Sequence, residues 1–571
     1  MATELPKKEA VIVGMGWTGS IIAAELAKAG VEVVGLERGK ERGLKDYYVV
    51  HDELRYAIRY DLMQDLSKET ITFRHHLNER ALPMRQMGSF LLGEGSGGSG
   101  VHWNGQTYRF LPYDFQIRTQ TIEKYGEEKI NQLNLQLQDW GITYDELEPY
   151  FYEFEKAAGI SGEANPLGPE RKNEYPNPPM KETPITAKFK QATENLGYHP
   201  FHVPSSNMSQ TYENQYGATL SACQYCGYCE RFGCEYGAKG DPTVAVIPFA
   251  KETGNFELRH FANVTEVIHE GGKATGVRYI DVKTKEEFIQ PADIVILSGY
   301  VMTNTRLLLT SNLGSPYNPE TGAGVIGKNY CYQLLPGVTG FFDEERFNTF
   351  MGAGALGASI DDFNGDNFDH ADLDFIHGGN IACTQTGARP IASNNVPAGT
   401  RSWGSEFKEL SINYYTRSIS ISAQGASMPV RENYLDLDPT YKDAYGLPLL
   451  RMTYNFTEQD RNLYHYIGER LDEIMLEMGA SQISERSNLE NYDIVPYQTT
   501  HNTGGVIMGD DPGTSAVNNY LQMWDAENVF VVGASAFAHN SGYNPTGTVG
   551  ALAYRAVEGM LKYREEGGNL V

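Results

Sequence analysis

The sequence predicts an α/β protein whose first unit is a Rossmann-like, doubly wound nucleotide domain, and three adjoining segments predict it. Residues 9–13 (Glu-Ala-Val-Ile-Val) read as a short buried strand. The glycine loop Gly14-Met15-Gly16-Trp17-Thr18-Gly19 follows, and residues 21–29 read as a helix with Ala and Leu on its packed face. Residues 31–36 form a second strand that ends at Glu37. Strand, loop, helix and strand in that order make a βαβ unit, the start of a parallel sheet.

The loop has a physical logic. Gly14 permits the tight strand-to-helix turn, Gly16 lets the backbone approach a pyrophosphate, and Gly19 lets the helix pack on the strand. Thr18 stands among the free N–H groups of the first helical turn, where the dipole favours phosphate. Glu37, 23 residues after Gly14, is placed to accept hydrogen bonds from ribose hydroxyls, with Arg38 beside it.

With 571 residues the chain has room for about two to four domains. Hydrophobic residues at 41% and charged residues at 21% describe a folded chain. The 60 glycines show no period, which excludes a collagen-like array. A formal charge of −26 argues against nucleic acid, which needs a basic face. No run approaches the roughly 18 apolar residues of a membrane span. The polar N-terminus leads straight into a strand, so no export address is expected.

Further along, residues 41–80 are charged with helical character, and residues 88–105 are a second glycine-rich tract. Residues 112–200, rich in Tyr, Glu, Asn and Pro, suggest a cap or substrate domain. Short strands are expected at 256–259, 264–268, 274–280 and 294–298. Residues 340–490 mix loops and amphipathic strands before a helix near 460–478. A strand at 529–532 and a helix from about Thr548 close the chain.

Three later motifs narrow the chemistry. The tract Gly93-Glu94-Gly95-Ser96-Gly97-Gly98-Ser99-Gly100-Val101-His102-Trp103-Asn104-Gly105 sets small residues beside aromatic and polar ones, as a chain running along a flat cofactor requires. The strand at 529–532 ends in Gly533-Ala534-Ser535, and Asn544-Pro545-Thr546 opens a helix whose start suits the pyrimidine side of a flavin. These features favour FAD over NAD. Cys223, Cys226, Cys229 and Cys234 lie within 12 residues. Structural zinc usually takes two pairs separated by a longer loop, whereas compact spacing on a winding loop suits an iron–sulfur cluster. Zinc is the alternative.

Together these pieces resemble the glucose–methanol–choline (GMC) oxidoreductase family over nearly the whole chain. The likeness is strongest to its bacterial branch of membrane-linked sugar and sugar-acid dehydrogenase flavoprotein subunits, of the gluconate 2-dehydrogenase and fructose dehydrogenase type. The matching segments are the Gly14 loop, the Gly93–Asn104 tract with residues 108–115, the segment 295–309, His501-Asn502-Thr503-Gly504-Gly505 and the Asn544-Pro545-Thr546 turn. The resemblance implies a discontinuous FAD domain (1–111, 221–330 and 495–571) and a sheet-containing substrate domain (112–220 and 331–494). Val264 joins the expected cofactor-binding residues.

Oxidising an alcohol moves a hydride to flavin N5 while a base takes the hydroxyl proton, and histidine suits that task. His501 matches the family's base and Asn544 its partner. His539 is a weaker candidate, and His75 and His76 are expected at the surface. His102 aligns with a histidine that carries the flavin covalently in some relatives; a bond and simple packing both stand. The resemblance implies a three-iron cluster, although the cysteine spacing differs, so a four-iron cluster also stands. It further implies a small subunit, a cytochrome c subunit and a periplasmic or outer membrane face reached through them, against a cytoplasmic alternative. The rival activities are a dioxygen-using sugar oxidase of the same fold, a relay subunit without catalysis, and an NAD enzyme.

Overall fold

A computed structural model describes residues 2–48, 51–389, 391 and 393–570. Its nucleotide side is a five-stranded parallel sheet, in the order Val529–Val531, Glu287–Leu297, Lys8–Val13, Val33–Leu36 and Phe256–Arg259. Where the central members pair, residues 10–13, 33–36 and 294–297 are mostly Val, Ile and Leu and are buried, as strands covered on both faces must be. Strand Glu287–Leu297 serves two layers. Residues 292–297 pair with Lys8–Val13, while residues 287–291 pair antiparallel with Lys273–Asp281, itself paired with Ala262–Glu270. Only the apolar end of this strand was legible; residues 287–293 alternate with polar ones because that half lies in the half-exposed antiparallel layer.

Helix Trp17–Lys28 crosses behind the first strand. No side chain caps its start at Gly16, and its first turn carries no acid, so its leading N–H groups are left for a ligand. Gly14 has φ +93°, and a Cβ there would stand 3.1 Å from Gly299 Cα and from Ser298 O. The turn is therefore closed to other residues.

The second large layer is a six-stranded antiparallel sheet. Its order is Gln482–Ile483, Gly337–Phe341, Ser418–Gly425, Gly379–Thr384, Gly357–Ile360 and Phe201–His202. Helices Glu458–Glu477 and Pro184–Asn195 cover one face. In strand Ser418–Gly425, Ile419, Ile421 and Ala423 are buried, while the alternate residues Ser422 and Gln424 line a cavity on the other side. The long helix is started by a Thr457–Asp460 capping box and buries Leu463, Ile467, Leu471 and Ile474 at helical spacing. Truncating Ile467 to Ala costs about 2–5 kcal/mol.

Two expectations change. The helical character of 41–80 reduces to single turns at Leu44–Tyr47 and Leu54–Ile58, followed by strand Ile71–Arg74; positions 49 and 50 lie outside the described residues. The Ile-Thr-Phe run there prefers a strand. That strand pairs in parallel with Pro448–Thr453, so residues 71–83 join a four-stranded sheet with 434–453. A boundary at residue 111 therefore does not coincide with a sheet boundary. Among the described residues no helix is long and apolar enough to cross a membrane.

Candidate active site

A cavity of about 500 Å³ opens between the carboxyl edge of the parallel sheet and the polar face of the six-stranded sheet. At one end it is lined by Gly14, Gly16, Thr18, Glu37, Arg38 and Val264. Gly98, Ser99, His102, Trp103 and Asn104 form a long wall, and Gly533, Ala534, Asn544, Pro545 and Thr546 form another. Two of the expected residues stand outside it. Gly19 faces inward, where a Cβ would lie 2.1 Å from Gly14 O, and so serves packing. Gly105 has φ +98° and faces the Asn207 side chain. Pocket shape and small residues fit a dinucleotide: the nearest atom to a Cβ on Gly16 is 4.0 Å away, and on Gly533 3.7 Å away.

Glu37 is buried at the end of its strand. Its carboxylate accepts from the backbone N–H groups of Met15 (3.2 Å), Gly39 (2.9 Å) and Gly95 (3.2 Å), tying the first loop to the second tract. Burial raises its pKa, against those hydrogen bonds. His102 is 6% exposed, and its Nε2 has no protein partner. Burial, and then the positive charge of Lys239, lower its pKa to about 3. A neutral imidazole with an unanswered ring nitrogen thus stands on the cavity wall.

The inner end holds His501. Its Nδ1–H donates to Gln333 Oε1 at 2.5 Å. The Gln333 amide is oriented by its own donors, since Nε2 gives hydrogen bonds to the carbonyls of Ser541 (2.9 Å) and Tyr543 (2.8 Å). Only its oxygen is left for the ring, so His501 carries its proton on Nδ1 and keeps a lone pair on Nε2. Asn544 Nδ2 lies 3.4 Å from that Nε2, and Asn544 Oδ1 is buried without a partner. Asn540 Nδ2 donates to His501 O at 2.7 Å, pinning the backbone. Burial lowers the His501 pKa to about 3. A substrate hydroxyl placed between Nε2 and Asn544 would meet a neutral base and an amide. Gln333 was not legible as a site residue: a glutamine between Tyr332 and Leu334 carries no local signal.

The other histidines fall elsewhere. His539 does not line the cavity; its Nε2–H and that of His377 both donate to Asp114 Oδ1, at 3.0 and 2.8 Å, in a fully buried cluster. Burial pushes Asp114 up, but the two imidazoles hold its carboxyl well below the usual range. His76 is exposed, whereas His75 is half-buried and its Nε2 meets Tyr492 O at 2.8 Å.

The four clustered cysteines are free thiols around a small chamber that also includes Asn207 and Lys239. The loop winds tightly, with left-handed backbone at Tyr225 (φ 54°), Gly227 (φ 80°) and Arg231 (φ 73°). Backbone N–H groups of Tyr225 and Ala238 reach Cys223 Sγ and Cys234 Sγ, each at 3.4 Å, and Asn207 Nδ2 reaches Cys229 Sγ at 3.7 Å. Burial raises Cys223 to about 12 and Cys229 to about 11. Among the described residues no three of these sulfurs lie within 4.8 Å of one another, whereas tetrahedral zinc with bonds of about 2.3 Å holds its sulfurs about 3.8 Å apart. The loop joins the cavity wall directly, because Arg231 N donates to His102 O at 2.7 Å.

A dinucleotide cradle, an uncapped helix start and a neutral histidine on one cavity fit a dinucleotide-dependent oxidoreductase. The chain belongs to the GMC oxidoreductase family: residues 137–335 match its N-terminal model and residues 429–553 its C-terminal model. It is 43% identical to the gluconate 2-dehydrogenase flavoprotein of Pantoea cypripedii, over 100% of this chain and 96% of that one. It is 26% identical to the fructose dehydrogenase large subunit of Gluconobacter japonicus, over 99% and 100%. Pyridoxine 4-oxidase from Mesorbium loti shares the fold at a TM-score of 0.62 and 18% identity, over 98% of this chain and 100% of that one. The protein is an FAD oxidoreductase acting on CH–OH groups.

Proposed function

We propose that this chain oxidises a secondary alcohol of a sugar acid and sends the electrons one at a time through an iron–sulfur cluster at Cys223, Cys226, Cys229 and Cys234. The observation that carries the first half is the His501–Gln333 pair, which holds an unprotonated Nε2 facing the cavity. Bound FAD supplies a two-electron hydride acceptor. His501 takes the hydroxyl proton at Nε2, and Asn544 orients the substrate oxygen. Gln333 keeps the ring in the working tautomer. The cofactor would rest on Gly14, Gly16, Thr18 and Glu37 at one end and on Trp103, Asn104, Gly533 and Thr546 along its length.

The sugar-acid class follows from the 43% identity to the gluconate enzyme, and a sugar acid's carboxylate needs a cation. Among the described residues lining the cavity the cations are Arg38 and Arg231. Arg38 is engaged with Gln64 and Glu69 beside Glu37; Arg231 pairs with Glu230 (3.4 Å) and donates to Ala57 O (3.1 Å), so a substrate carboxylate would take it in exchange for Glu230. If Arg231→Gln weakened binding of gluconate no more than that of a neutral hexose, the sugar-acid assignment would fail.

The thiol spacing and the sulfur-directed donors suit a cluster over zinc. Iron and acid-labile sulfide analysis with EPR of the oxidised protein tests it, and zinc without iron would sink it. A dioxygen-using oxidase is the second reading, and peroxide formed during turnover in air would favour it. His102, with its unanswered Nε2 on the wall, is where a covalent link to flavin would form; flavin retained after acid denaturation identifies the link. The cavity would lie between the proposed FAD and substrate units. A small subunit and a cytochrome c, at the periplasmic or outer face, would complete the chain of acceptors; co-purification with a haem protein tests this.

A further inference from the structure

Lys239 is completely buried between the cavity wall and the cysteine loop. Its Nζ donates to three carbonyl oxygens: Trp103 at 2.8 Å, Cys229 at 2.8 Å and Phe232 at 2.9 Å. Three donors with three acceptors is the pattern of an ammonium, because a neutral amine has only two N–H groups. Among the described residues no carboxylate comes within 4.0 Å of it to form an ion pair. The nearby carboxylate, Asp241, is itself buried and gives one oxygen to Thr243 while the other has no partner. A buried cation without an adjacent anion is costly.

The chamber that Lys239 lines is the one lined by all four clustered cysteines. Its neighbour across a backbone bridge, Asn207, donates to Cys229 Sγ. Thiolates bound to an iron–sulfur core would supply negative charge beside Lys239. Through Trp103 the same ammonium is tied to the flavin wall, so it stands between the two redox sites.

We propose that Lys239 is the fixed counter-charge of the cluster and holds its reduction potential above the value the thiolates alone would give. The inference rests on the cluster reading above. Each electron passed from reduced flavin to the cluster adds one negative charge there and carries no proton, and it leaves to a one-electron acceptor such as a c-type cytochrome. An adjacent ammonium favours the more negative, reduced state, since cluster potentials follow local charge and hydrogen bonding. The transfer out of the flavin is thereby made more downhill.

The test is an EPR-monitored potentiometric titration of the purified, cluster-loaded enzyme. Lys239→Met should move the cluster midpoint to lower potential, and by more than it moves the flavin midpoint. Asp241→Asn, which keeps a helix-capping side chain and removes the neighbouring negative charge, should move the cluster midpoint upward. It remains informative if Lys239→Met does not fold. Unchanged cluster midpoints in either folded variant would overturn the proposal, because a lysine that merely ties loops together would alter cluster content or melting and not the potential. Absence of iron and sulfide from the wild-type protein would instead remove the cluster reading itself.

Discussion

The His501 wall and the cysteine loop are built in opposite ways. The wall draws Gln333, His501 and Asn544 from separate parts of the chain and joins them by side-chain contacts to the His501 ring, with Gln333 and the His501 backbone anchored by amide–carbonyl hydrogen bonds. The loop keeps its four thiols within 12 consecutive residues and shapes them by backbone turns. Proton transfer needs a ring held in one tautomer and at one distance, which rigid and remote partners supply. The metal core proposed for the loop would order its own ligands, so a short winding segment would suffice.

The largest effect expected at the wall is that of His501→Ala. Substrate-dependent bleaching of the flavin should slow about 10²–10⁴-fold in stopped flow, with the EPR signal of the proposed cluster intact. Loss of that signal as well would show that the two regions are not separable. The reciprocal change, Cys229→Ser, should abolish the EPR signal and electron delivery to a cytochrome while anaerobic bleaching of the flavin by substrate continues at the wild-type rate.

Gln333→Leu should slow bleaching about 10–100-fold. It leaves the Nδ1 donor buried and unanswered, a cost of about 1–3 kcal/mol, and frees the other tautomer. Gln333→Glu keeps the acceptor for Nδ1 but takes away the amide donor to the Ser541 and Tyr543 carbonyls, so it should recover only part of the rate. A Leu variant as fast as wild type would mean that tautomer control is not what Gln333 supplies.

The smallest effect is on the pH profile. Burial lowers His501 from the ordinary 6.5 to about 3; with the neutral ring as the proposed base, activity should be present above that value and lost as pH falls through it. The rate of flavin reduction should stay flat from pH 8 down to about 5. Gln333→Glu, which adds a negative charge beside the ring, should move the acid limb upward. An acid limb near 6.5 in the wild type would contradict the buried, neutral histidine.

Contiguous features were legible in the sequence. The βαβ unit, the glycine turns, the second tract and the cysteine run all signal through spacing within a few tens of residues, and the structure brings Gly14, Glu37, His102, His501 and Asn544 to one cavity. Features that depend on distant partners were not. His539 resembled a catalytic residue because it precedes Asn544 by a few positions, yet its ring turns away to Asp114. Strand Ile71–Arg74 was hidden in a charged segment because its partner, Pro448–Thr453, lies hundreds of residues away.

By itself the sequence determined the nucleotide fold, the family, the flavin and the set of groups able to ligate metal, because backbone turns and ligand spacing are local. Only the tertiary structure decided that His102 and His501, and not His539, face the cavity, which nitrogen of His501 bears the proton, and that Lys239 lies buried between the cavity wall and the thiols. Tautomers and buried charges are set by whichever donors and acceptors the fold places within about 3 Å, and no pattern along the chain records that distance.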